Sequence, residues 1–154
     1  MTQKQKILIV DDSASMRESF TAMLGSLAEC HLAVNGREAV DLIRQARGKG
    51  ENFDIVIMDI IMPEMDGLTA VKEIRKFESE TGWSGQETLT IIIVTTIKDP
   101  SRILMAQYEC GADAYITKPF DEETVLQTLS NNGLRRINGH SESADEHNQW
   151  DSWL

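Results

Sequence analysis

Residues 54–67 read DIVIMDIIMPEMDG. A carboxylate, Asp59, stands between two blocks of Ile, Val and Met, shortly before a proline and an Asp-Gly pair that reads as a turn. A charge in an apolar run is costly unless it is paired, metal-bound, or placed at the end of a buried element. Two further acids, Asp11 and Asp12, follow the apolar stretch KILIV. Thr95 and Thr96 close LTIIIVTT, and Lys118 closes ADAYITK. Each polar group therefore ends an apolar run. If the runs are parallel strands, their ends share one edge, where open α/β sheets place their sites. Three close carboxylates raise one another's pKa. A divalent cation relieves that repulsion, and an all-oxygen set suits Mg2+, with Mn2+ as a substitute. A carboxylate oxygen of Asp59 could then attack a phosphoryl group. Lys118 and a threonine hydroxyl would meet the phosphoryl oxygens. Any one of these residues alone suits a capping acid or a surface lysine. Their convergence on one edge favours a site.

The elements that must deliver these residues are legible. KILIV (6–10), CHLAV (30–34), DIVIMD (54–59), LTIIIVTT (89–96) and ADAYITK (112–118) are short, β-branched and nearly continuous, as strands buried on both faces should be. Helical spacing occupies 14–27, 36–47, 66–79, 100–110 and 121–132. In the first of these, Met16, Phe20, Met23, Leu24 and Leu27 form one stripe, with Ser13 as the N-cap. Asp99 and Pro100 suit the start of the fourth helix, and Gly111 suits its left-handed stop. Five strands alternating with five helices predict a parallel sheet covered on both faces.

The chain has 154 residues, the size of one domain, and a formal net charge of −10. That balance argues against nucleic-acid binding and against adsorption to anionic membranes. No apolar run approaches the roughly 18–20 residues of a spanning helix, and the start carries no signal-peptide pattern, so a cytoplasmic location is expected. Cys30 and Cys110 form no CxxC motif and read as reduced thiols. Residues 138–154 hold four acids and no Lys or Arg, which leaves −6 on residues 1–137. The expected organisation is a folded domain over 1–135 and an acidic, flexible tail over 136–154.

The pieces ILIVDDS, MDIIMPEMDG, IIIVTT and GADAYITKPF together resemble the receiver domain of two-component response regulators, over about residues 5–132. The resemblance implies a flavodoxin-like (βα)5 fold, a doubly wound parallel sheet of order 2-1-3-4-5. It implies that Asp59 is the phosphoacceptor. Asp12 would bind Mg2+ directly and Asp11 mainly through water, with the main-chain carbonyl of Ile61 as a further ligand. Lys118 and Thr95 would contact the phosphoryl group, and the Lys118–Pro119 bond would be cis. Pro63 and Gly67 would shape the loop after the acceptor. Thr95 and Tyr115 would be the switch pair, biasing the face built by the fourth helix, fifth strand and fifth helix. The implied partners are a histidine kinase or histidine phosphotransfer protein and an output protein. Ile61 and Ile97 depart from the better-known chemotaxis pattern, where polar side chains often flank the path of the hydrolytic water. Slow self-dephosphorylation is therefore expected.

No second core or helix-turn-helix segment follows residue 132, so the output is expected to be a protein contact or a phosphorelay, in chemotaxis or another pathway. The tail stretch Gln149-Trp150-Asp151-Ser152-Trp153 resembles the Asn-Trp-Glu-Thr-Phe pentapeptide that ends some chemoreceptors and tethers adaptation enzymes. Trp150 and Trp153 would be its anchors, for instance for an adaptation methyltransferase. Two other functions stay open. One is a receiver-like binding module that works unphosphorylated. The other is a Mg2+-dependent phosphatase, which is disfavoured because Ile61 stands where many such enzymes carry a second Asp.

Overall fold

A computed structural model describes residues 4–82, 88–96, 101 and 111–135. The strands are β1 (Gln5–Val10), β2 (Ala28–Ala33), β3 (Ile55–Asp59), β4 (Thr90–Thr95) and β5 (Ala114–Thr117). The described helices are α1 (Ala14–Leu24), α2 (Gly36–Lys49), α3 (Gly67–Glu80) and α4 (Glu122–Asn131). All four strand pairings are parallel, in the order β2-β1-β3-β4-β5. This is the expected α/β architecture. Of the helix expected over 100–110 only Ser101 is described, and it is helical; Asp99, Pro100 and Cys110 lie outside the described residues, as do Ile97 and the tail from 136. Gly111 has a φ of +86°, which suits a left-handed stop.

Side-chain alternation divides the apolar residues of the strands between two cores. Leu8, Val10, Val56, Met58, Ile91 and Ile93 face α2 and α3. Ile7, Ile9, Ile55, Ile57, Ile92 and Val94 face α1 and α4. The three central strands are buried on both sides, which is why they read as unbroken apolar runs. β2 is different. It is an edge strand with Glu29, His31 and Leu32 exposed, and it starts two residues before the apolar run that suggested it.

Polar caps set the helix starts. Ser13, Asn35, Asp66 and Asp121 each accept a hydrogen bond from the N–H three residues on. The Asp-Gly pair is therefore no turn of its own: Asp66 caps α3 and Gly67 is its first residue. α1 ends at Leu24, earlier than its apolar stripe. A turn with Leu27 N–H on the Leu24 carbonyl (2.9 Å) brings Leu27 back onto the same core. No described helix is long and apolar enough to cross a membrane.

Candidate functional site

β1 and β3 are neighbours, so their carboxyl ends bring Asp11, Asp12 and Asp59 side by side. One carboxylate oxygen from each lies within 4.8 Å of the others. Asp11 and Asp59 are buried, whereas Asp12 is exposed at the mouth. Among the described residues no other group of acids, histidines or cysteines clusters in this way. Lys118 reaches in from the end of β5, with Nζ 3.3 Å from Asp11 Oδ2 and 3.7 Å from Asp59 Oδ2. Its own N–H donates to the Thr95 carbonyl (2.7 Å), and its bond to Pro119 is cis.

Three carboxylates share one ammonium, so the pocket carries excess negative charge. Burial pushes the Asp59 carboxyl above its ordinary range. Lys118 opposes the shift, Asp11 adds to it, a hydrogen bond from the Ile61 backbone opposes it, and Asp12 adds to it. The donors are all hard oxygens. A small divalent cation fits both the charge and the chemistry of this set.

The loop after β3 is tightly closed. The Gly67 N–H donates to the Ile60 carbonyl (2.7 Å), and Met65 N–H to the Pro63 carbonyl (2.8 Å). Glu64 takes a φ of +68°, a conformation costly for a side-chain-bearing residue. A Cβ on Gly67 would overlap the Asp59 carbonyl oxygen, so only glycine lets α3 begin this close to the acid. Ile61 is 64% exposed beside the pocket.

Thr95 is buried at the end of β4, and Thr96 is exposed. Tyr115 lies in β5 opposite Ile93, two residues before the Thr95–Thr117 pair, and is half exposed. Trp150, Trp153 and Ile97 lie outside the described residues. A wide groove of about 1360 Å³ opens at the opposite edge of the sheet. Its charges largely answer one another, as in the Lys6–Glu29 pair (3.8 Å), and it holds none of the residues discussed so far as a site.

Two contacts to Asp11 were not legible as site features. Ser13 reads as a helix cap, yet its N–H also donates to Asp11 Oδ1 (2.9 Å). Arg17 reads as a surface cation, yet its Nη1 donates to the Asp11 carbonyl (2.7 Å). The available signal is direction: side chains early in a helix lean toward its N-terminus, here back to the end of β1.

Residues 7–130 match the response regulator receiver domain family. The chain belongs to that family. As a receiver domain it is 40% identical to protein PilH of Pseudomonas aeruginosa, over 81% of this chain and 94% of PilH. Its fold is similar to that of the Vibrio cholerae chemotaxis protein CheY4, with a TM-score of 0.72, 32% identity, and coverage of 85% of this chain and all of that one. It is also similar to a chain of the CheX–CheY–BeF3–Mg2+ complex from Borrelia burgdorferi, with a TM-score of 0.70, 28% identity, and coverage of 82% and 87%. The receiver domain is thus a two-component signalling protein with an acidic pocket of Asp11, Asp12 and Asp59, and it has chemotaxis-type relatives.

Proposed function

We propose that this receiver domain, spanning residues 1–135, accepts a phosphoryl group on Asp59 from a phosphohistidine of a histidine kinase or histidine phosphotransfer protein. A carboxylate oxygen of Asp59 attacks phosphorus, the P–N bond breaks, and its electron pair returns to the imidazole. Asp12, Asp59 and the Ile61 carbonyl would hold Mg2+, with Asp11 assisting through water. Bound there, Mg2+ would offset the charge of the carboxylates and the phosphoryl oxygens. Lys118 supplies the second positive charge, and the Thr95 hydroxyl donates to a phosphoryl oxygen. The single observation that supports this reading is the gathering of three acids within 4.8 Å, with Lys118 Nζ at 3.3 and 3.7 Å from two of them. The relative solved with BeF3 and Mg2+ agrees with it.

Phosphorylation adds about −1.5 to −2 charge and three acceptor oxygens. Thr95 and Lys118 gain a stronger partner, and Tyr115 fills the space that the threonine leaves. The surface formed by segment 100–110, β5 and α4 then changes its protein contacts. We assign the protein to the cytoplasm, in chemotaxis or a related phosphorelay. The acidic tail over 136–154 is assigned a tethering role, with Trp150 and Trp153 as anchors for an adaptation methyltransferase. A 145–154 peptide that fails to bind such an enzyme removes the tether alone.

Intact-mass analysis after incubation with acetyl phosphate tests the central reading. One added phosphoryl group is expected with Mg2+, none with EDTA, and none in Asp59→Asn. A chain that never gains mass is instead a phosphorylation-independent binding module. Steady turnover of a small phosphate ester would mark a phosphatase.

A further inference from the structure

Every polar group of Asp11 is engaged. Its N–H donates to the Ala33 carbonyl (3.1 Å), Oδ1 accepts from Ser13 N–H (2.9 Å), and Oδ2 faces Lys118 (3.3 Å). Its carbonyl accepts from Arg17 Nη1 (2.7 Å). These four bonds come from β2, the β1–α1 loop, the end of β5 and α1. The carbonyl bond has a consequence that the others lack. A peptide unit is planar, so fixing the Asp11 carbonyl also fixes where the Asp12 Cα stands. Asp12 needs that help, because its exposed carboxylate makes no hydrogen bond or ion pair among the described residues.

Arg17 is half-buried, and no carboxylate pairs with it among the described residues. Its bond goes to a main-chain oxygen at the lip of the acidic pocket. Phe20, one turn further along α1, packs against Phe120 with ring centroids 5.2 Å apart. α1 thus braces both the end of β1 and the chain just after Lys118.

Resting on the assignment of the pocket as a cation site, we propose that Arg17 is a positioning residue for it. Arg17 holds the Asp11–Asp12 peptide so that both acids meet Asp59, and so sets the affinity of the pocket for Mg2+. The sign of the effect separates this role from simple electrostatics. A fixed positive charge beside the pocket repels a cation, so an Arg17 acting only through its field would weaken Mg2+ binding, and its removal would tighten it. A positioning Arg17 does the reverse. Loss of a group that orients a metal ligand typically weakens binding 10–100-fold.

The experiment titrates MgCl2 into the chelator-stripped full chain, for wild type, Arg17→Lys and Arg17→Met, by calorimetry and by amide chemical shifts. Melting in EDTA checks that each variant is folded. The expected result is Mg2+ binding about tenfold weaker in Arg17→Met, and intermediate in Arg17→Lys, whose single ammonium can still reach a carbonyl. Unchanged or tighter binding in Arg17→Met, with wild type binding normally, overturns the role of Arg17 and leaves the pocket assignment intact. Absence of Mg2+ binding in wild type overturns both. If Arg17→Met does not fold, Arg17→Lys and Arg17→Gln decide by the same sign: weaker supports the inference, and unchanged or tighter rejects it.

Discussion

Asp59 is buried among like charges with one shared ammonium, and burial holds its carboxyl above the ordinary value of 3.8. A carboxylate with a raised folded-state pKa stabilises the fold only while it is protonated. That contribution is present below about pH 3.8 and is lost as pH rises through the folded-state value. At neutral pH the ionised side chain is therefore a liability. Asp59→Asn should melt a few degrees higher than wild type at pH 7 in EDTA, and the gap should close as pH falls toward 4. A gap that widens on acidification would contradict the burial account. Ile61, 64% exposed beside the acid, presents an apolar surface where water must approach. Ile61→Asn combined with Ile97→Glu should shorten the life of the phosphorylated form several-fold, read as the decay of intact mass after the donor is removed. An unchanged decay rejects the idea that these side chains obstruct water.

At the scale of elements, legibility followed burial. β1, β3 and β4 are buried on both faces, and their apolar runs marked them and the acids or hydroxyls at their ends. β2 was displaced because an edge strand carries Glu29 and His31 where a central strand carries Ile or Val. The three pocket acids and Lys118 were legible because strand ends share an edge. Arg17 was not, since a helix arginine aimed at a backbone carbonyl looks like any solvated cation. Gly67 shows how closely the loop is built. Its missing Cβ is what lets α3 start against the Asp59 carbonyl. Gly67→Ala should cost about 1–3 kcal/mol in urea unfolding and should slow phosphorylation, because the acid's own peptide must move. Gly48, near the end of α2, meets nothing within 4 Å of an added Cβ. Gly48→Ala should be neutral or stabilising by up to about 1 kcal/mol. Equal effects at the two positions would remove the steric explanation.

For the whole molecule, one side chain ties several segments together at the edge of the sheet away from the pocket. Arg75 of α3 donates to the Leu89 carbonyl (2.7 Å), the Gly111 carbonyl (2.9 Å), Glu78 (2.8 Å) and Asp113 (2.9 Å). Glu78, 2% exposed, also accepts the Leu89 N–H (2.5 Å). One guanidinium thereby joins α3 to the starts of β4 and β5. Removing a single partner strands a buried charge, so Arg75→Met should lose about 3–5 kcal/mol in urea unfolding. Arg37→Met, which breaks a longer pair between a more exposed arginine and the partly buried Glu73 (3.7 Å), should lose less, about 1 kcal/mol. Comparable losses would mean that burial does not set the value of these pairs.

The hydrogen bond from the Lys118 amide to the Thr95 carbonyl joins the end of β4 to the main chain that carries the pocket's ammonium. That bond links the backbones of these two residues directly. A displacement at one strand end that keeps the bond must carry the other with it, and the exchange of that single amide proton for deuterium reads how often the bond opens.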